Sequence, residues 1–187
     1  MPKKQIEPGP FVVPMPIALI GAMVDGKANF MTAAFLGIVN FEPPVICCGL
    51  NPKHHTCKGI EANREFSICL PSAGQVVVTD YCGIVGGDKM DKSELFDVEF
   101  GTLKQAPLIA QFPLCVECKL IDTKPFDVDV AYFGQIVNVH AEEEILTEGN
   151  VDWKKIRPLL FTFPDRSYWQ LGDYVAPAWK IGNEYKK

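Results

Sequence analysis

The chain of 187 residues contains no run of more than two Lys or Arg, and 23 acidic against 18 basic residues give a formal charge of −5. It therefore offers no electrostatic footprint for a nucleic-acid backbone or an anionic membrane, and neither is expected as a partner. Long hydrophobic runs are also missing. The most apolar N-terminal stretch, Phe11 to Val24, is cut by Pro14 and Pro16 and falls short of the ~20 residues of a bilayer-spanning helix. Met1 to Pro10 does not lead into an uninterrupted apolar core with a small-residue cleavage site, so a cytoplasmic protein is expected. Absent too are a G-x-G-x-x-G after a strand, a Walker loop, a G-x-S-x-G elbow and an H-E-x-x-H pair. Rossmann, P-loop, hydrolase and zincin chemistries thus lack their signatures.

Cysteine is present, seven times, but in an odd number on a chain large enough to fold without staples, so reduced thiols are expected. Cys115-Val116-Glu117-Cys118 is a lone C-x-x-C inside an apolar strand, where its two thiols would face opposite sides. His54, His55 and Cys57 do not make a metal centre: adjacent histidines project in different directions and no fourth ligand follows at zinc-like spacing. No metal is expected.

What remains is a globular composition, 48% hydrophobic and 22% charged, at a length suited to one domain spanning residues 1–187. Apolar, β-branched runs flank Asp25-Gly26, a two-residue hairpin signal. The second run, Ala28 to Phe41, reads as one strand stopped by Glu42-Pro43-Pro44, and Val45 to Leu50 resumes as another. A short helix is expected over Cys57 to Arg64 with Thr56 as its cap, then a strand over Phe66 to Leu70. Residues 72–105 read as an excursion over the sheet with a short helix around Met90 to Phe96. Phe112 to Thr123 and Val128 to His140 read as a hairpin, Trp153 to Leu160 as a helical turn, and Ser167 to Leu171 as a last strand. His140 reads as a surface residue. Many strands and few helices predict a mainly β, antiparallel barrel.

The chemistry concentrates in Leu50 to Arg64, where a strand ends in a polar loop of Asn51, Lys53, His54, His55 and Thr56 that opens into a helix. A helix N-terminus presents unpaired N–H groups and about half a positive charge, so with Lys53 and the Thr56 hydroxyl it suits a phosphate. The plainer reading, in which Thr56 only caps the helix and Lys53 is solvated, stands beside it.

Three stretches occur in order and at hairpin spacing: Asn29-Phe30-Met31-Thr32-Ala33-Ala34, Phe41-Glu42-Pro43-Pro44 and Asn51-Pro52-Lys53-His54-His55-Thr56. Asp80-Tyr81-Cys82-Gly83, Met90-Asp91-Lys92, Ala106-Pro107-Leu108-Ile109, Glu117-Cys118, Arg157-Pro158-Leu159-Leu160 and Tyr168-Trp169-Gln170-Leu171-Gly172 follow. In this ordered set the chain resembles the flavin reductase-like, FMN-binding split-barrel family over about residues 8–175, and within it the flavoredoxin group. The resemblance implies an antiparallel split β-barrel of Greek-key type with FMN as cofactor. It implies a phosphate clamp at Asn51, Lys53, His54, His55 and Thr56. Asn29, Thr32, Ala33, Ala34 and Phe35 would run along the isoalloxazine edge, Phe35 standing where relatives often carry Trp. Lys92 would bring positive charge near the flavin, its plainer reading being a solvated helix residue, and Phe163 would approach the ring from the C-terminal region. A homodimer is implied, with NAD(P)H or a redox protein as partner. The function implied is electron transfer through bound FMN. The alternatives are an NAD(P)H-dependent reductase that releases reduced FMN, a flavin-free split-barrel binding protein, and a thiol-based oxidoreductase using the cysteines.

Overall fold

A computed structural model describes residues 1–185. In chain order its strands and helices are β1 (Met15–Pro16), β2 (Ala18–Val24), β3 (Lys27–Ala33), β4 (Leu36–Asn40), β5 (Val45–Leu50), α1 (His55–Asn63), β6 (Glu65–Leu70) and α2 (Val76–Ile84). Then come β7 (Val98–Phe100), β8 (Pro107–Ile109), β9 (Leu114–Pro125), β10 (Val130–Ala141), β11 (Leu146–Thr147), β12 (Asn150–Val151), α3 (Trp153–Ile156), β13 (Leu159–Thr162) and β14 (Ser167–Gln170). No helix among the described residues is long and apolar enough to cross a membrane.

The principal sheet has seven strands in the order β3-β2-β6-β9-β10-β5-β4, every neighbouring pair antiparallel. The β2–β3 hairpin turns on Asp25 and Gly26, both at positive φ (51° and 81°), the geometry that matches strand twist. The stretch Ala28 to Phe41, expected as one strand, is two. β3 ends at Ala33, Ala34 and Phe35 intervene, and β4 pairs with β5 at the far end of the sheet. The three Cα steps from Ala33 to Leu36 reach only ~11 Å, so the first and last strands meet at this link without bonding to each other, which splits the barrel along one seam.

Interior and exterior are both packed on one side. Ala18, Ile20 and Ala22 of β2 join Met31, Phe66, Cys118 and Tyr132 inside, together with Cys57 and Ile60 of α1. Their odd-numbered neighbour Leu19 joins Phe30, Cys69 and Cys115 under the excursion of residues 76–112. Burial on both faces explains why β2 reads as a continuous apolar run instead of an alternating one. Gly21 is required where β8 crosses, since a Cβ there would lie 2.8 Å from the Pro107 carbonyl oxygen.

The excursion is anchored by Glu117, whose side chain is fully buried. Its carboxylate accepts from the amides of Leu103 (2.6 Å) and Thr102 (3.2 Å), from Asn138 Nδ2 (2.8 Å) and from His140 Nε2 (2.9 Å). His140 is exposed, as expected of a surface residue, yet bonded inward. The segment also contains a helix the sequence did not suggest, α2, which follows directly on a 3-10 turn, Ala73–Gln75, closed by a Ser72–Gln75 capping box. The helical turn expected over Trp153 to Leu160 is confined to α3, and Leu159 already belongs to β13. β13 and β14 form a separate small sheet with β1.

Candidate functional site

Asn51 folds the loop ahead of α1: its Oδ1 accepts the Lys53 amide (3.0 Å) and its carbonyl the His54 amide (3.1 Å). The Cys57 amide turns back to the His54 carbonyl (3.1 Å). The amides of His55 and Thr56 are left without a partner among the described residues, at the positive end of the helix. Thr56 is not the cap. His54 holds that position without a side-chain bond, and Thr56 lies inside the helix, buried, its Oγ1 accepting from Asn29 Nδ2 at 2.7 Å. The expected capping role fails because the β3 side chain reaches Thr56 first, fixing α1 to the barrel.

Two adjoining cavities open here. The first, about 210 Å³, is walled by Asn29, Lys53, His55, Thr56, Lys92 and the loop Gly83–Asp88. The second, about 280 Å³, is walled by Ala33, Ala34, Phe35, Asn51 and Phe163, with Phe161 behind them. Met31, Thr32 and His54 border both. Together they fall within the ~300–1,000 Å³ of ligand pockets. All twelve residues singled out in the sequence line one cavity or the other.

The two ends differ in chemistry. The first cavity has Lys53, Lys92, the free amides and His55, whose Nδ1 is buried with no hydrogen-bond partner among the described residues. An orphaned polar atom of this kind leaves a bond to be made by a ligand or a water. Lys92 is not a solvated helix residue: it is 2% exposed, and its Nζ donates to the carbonyls of Phe30 (2.9 Å) and Cys82 (2.6 Å). Burial pulls its pKa down, and no carboxylate pairs with it among the described residues. The second cavity is mostly apolar, with Phe35 at 46% exposure beside the seam.

Sequence reasoning missed the Gly83–Asp88 loop, Phe161, Asp129 and Arg166. The glycines were the available signal: a Cβ on Gly87 would lie 2.2 Å from Asn29 Oδ1, so only glycine lets the loop approach. Helix α2 holds that loop against the site. Thr32 donates its hydroxyl to the Thr79 carbonyl, and Tyr168 of β14 donates to Asp80 Oδ1 at 2.7 Å. Tyr168 also packs on Phe161, ring centroids 5.9 Å apart. Burial first, and then Asp80, raise the Tyr168 pKa, so the phenol stays protonated and donates. Tyr168→Phe keeps the ring and removes this bond. We expect a loss of ~1–2 kcal/mol, or about 2–8 °C in Tm by calorimetry; an unchanged Tm would show that α2 is held by other contacts.

Of the seven cysteines only Cys82 borders either cavity. Burial pushes the thiols of Cys57 and Cys82 up to about 11 and that of Cys118 to about 12, so they are poor nucleophiles at neutral pH. Cys115 and Cys118 lie in different core clusters, and Cys48 is fully buried in the interior.

Residues 12–170 match the flavin reductase like domain. The chain belongs to the flavin reductase-like family. Flavoredoxin from Methanosarcina acetivorans is 44% identical, with a TM-score of 0.94 over 97% of this chain and 98% of that one. Flavoredoxin of Desulfovibrio vulgaris (Miyazaki F) is 31% identical, with a TM-score of 0.90 over 96% and 99%. An uncharacterized protein of Aquifex aeolicus is 29% identical over 79% of this chain and 80% of its own length. The family's mainly β, antiparallel split-barrel architecture is the one described above, and within the family the chain is most like flavoredoxin.

Proposed function

We propose that the chain binds FMN across the two cavities and transfers electrons between a donor and a redox partner. The observation that carries this reading is the polarity of the groove, cationic and donor-rich at α1, apolar and aromatic at the seam. Its likeness to two flavoredoxins supports it. Lys53 and the His55 and Thr56 amides suit a phosphate dianion. Phe35 and Phe163 offer faces to a planar ring, and the small side chains of Ala33 and Ala34 leave the backbone of the seam open to the ring's polar edge. Buried Lys92 favours negative charge on whatever lies against it. Bound FMN supplies the hydride and single-electron chemistry that protein side chains lack.

The reading extends to a homodimer. β4 is an edge strand that exposes Ile38 (63%) and Val39 (54%), with Phe41 (89%) beyond it, and an open apolar edge is an aggregation hazard unless covered. The test is the flavin absorption of protein loaded with FMN or riboflavin, read before and after desalting, with light scattering on the same samples. Retained FMN, weaker riboflavin and twice the chain mass are expected. FMN that washes out and rebinds would favour the NAD(P)H-dependent reductase that releases its flavin, and no binding of either would refute the flavin reading.

A further inference from the structure

Arg166 lines the apolar cavity and not the cationic one. It ends the β13–β14 turn at φ 53°, a left-handed position that a non-glycine residue occupies only when its surroundings hold it there. The turn is tied in several places. Thr162 Oγ1 donates to Asp165 Oδ2 (2.9 Å), Trp169 Nε1 donates to Thr162 Oγ1 (2.8 Å), and Ser167 Oγ donates to the Asp165 carbonyl (3.4 Å). The neighbouring carboxylate of Asp165 is thus engaged within the turn. Among the described residues the Arg166 guanidinium takes part in neither ion pair and donates no hydrogen bond. Asp129 lines the same cavity without pairing with it.

Arg166 is exposed at the mouth of this cavity, and a guanidinium with unused donors beside aromatic walls suits planar molecules that carry a carboxylate or phosphate, because its planar fork pairs bidentately with an oxyanion. We propose that Arg166 is the specificity-determining residue for the oxyanion of a second, planar reactant that meets the ring end of the site. The proposal rests on the flavin reading above.

The oxyanion could be the phosphate of a dihydronicotinamide nucleotide or the carboxylate of a small aromatic acid, and one experiment separates the two. Full-length protein loaded with FMN is reduced without oxygen by NADPH, which leaves as NADP⁺ after giving up its hydride. In parallel it is reduced by 1-benzyl-1,4-dihydronicotinamide, which has the same reacting ring and no oxyanion. Binding of p-hydroxybenzoate is followed through the flavin spectrum. Wild type, Arg166→Gln and Arg166→Lys are compared. In the Gln variant the ratio of the NADPH rate to the neutral-donor rate is expected to fall at least tenfold, or the p-hydroxybenzoate dissociation constant to rise at least tenfold, with Lys restoring part of the loss. A response in the first arm identifies a nucleotide phosphate, in the second a carboxylate. Equal losses with both donors, or no response in either arm, would overturn the proposal. Failure to retain FMN at the loading step would instead overturn the flavin reading.

Discussion

Glu117→Leu is expected to lower Tm by about 10 °C, the cost of ~3–5 kcal/mol for breaking a buried, fully bonded charge. The substitution keeps an apolar volume in β9 but strands four donors at once: two amides of the 102–103 segment, Asn138 and His140. Buried donors without partners cost more than the lost bonds themselves, a cost that falls on the buried Leu103 amide and on Asn138, since His140 and Thr102 reach solvent. Glu117→Gln should fall part of the way, because its amide group presents hydrogens to donors. The same site sets an acid limit. Burial alone would raise the Glu117 carboxyl, but bonds from His140, the Leu103 amide, Asn138 and the Thr102 amide more than reverse this and hold it below its ordinary value of 4.5. A depressed folded-state pKa contributes stability above the unfolded value and loses it as pH falls through the folded one. Wild-type protein should therefore lose Tm below about pH 4.5 more steeply than Glu117→Gln, which has no such proton to take up. Parallel pH profiles by differential scanning calorimetry would contradict this account.

Lys53→Ala carries the largest expected effect on ligand binding, ~1.5–3 kcal/mol or roughly 10–150-fold in the FMN dissociation constant. Lys53 is exposed at the lip of the first cavity, so its ammonium is free to reach a phosphate there without repacking the core. Riboflavin, which has no phosphate, should bind the variant and the wild type alike. Raising the salt concentration should narrow the FMN difference, since an exposed charge pair is screened. Isothermal titration with both ligands separates the outcomes: equal losses for FMN and riboflavin would mean that Lys53 acts on the ring end or on folding.

Local turn chemistry made part of this fold legible. Asp25-Gly26 fixes a hairpin by its backbone requirement alone, and Pro43-Pro44 ends a strand wherever it falls. The break at Ala34-Phe35 has no such marker. Both residues suit a strand, and only the curl of the whole sheet decides that β3 must stop and β4 must cross to the other edge. Helix α2 was hidden for the opposite reason, since Val76-Val77-Val78 favours a strand on propensity. The Ser72-x-x-Gln75 capping box, on the 3-10 turn that leads into it, was the one readable signal nearby. In the site, residue types announced themselves and directions did not. Thr56 has the chemistry of a cap, yet Asn29, 27 positions away, claims its hydroxyl. Lys92 reads as a surface lysine until the chain is seen to fold over it.

The seam between β3 and β4 has a bearing on how such a protein can change over time. Phe35, Phe163 and Arg166 stand on connections outside the packed interior, so replacing them disturbs none of the barrel's filling side chains. Partner preference can drift at these positions while the barrel stays the same, whereas Asn29 and Gly87, wedged against each other at the opposite end, leave little room for variation. A lineage built on this chain would be expected to keep its cationic end and diversify along the seam.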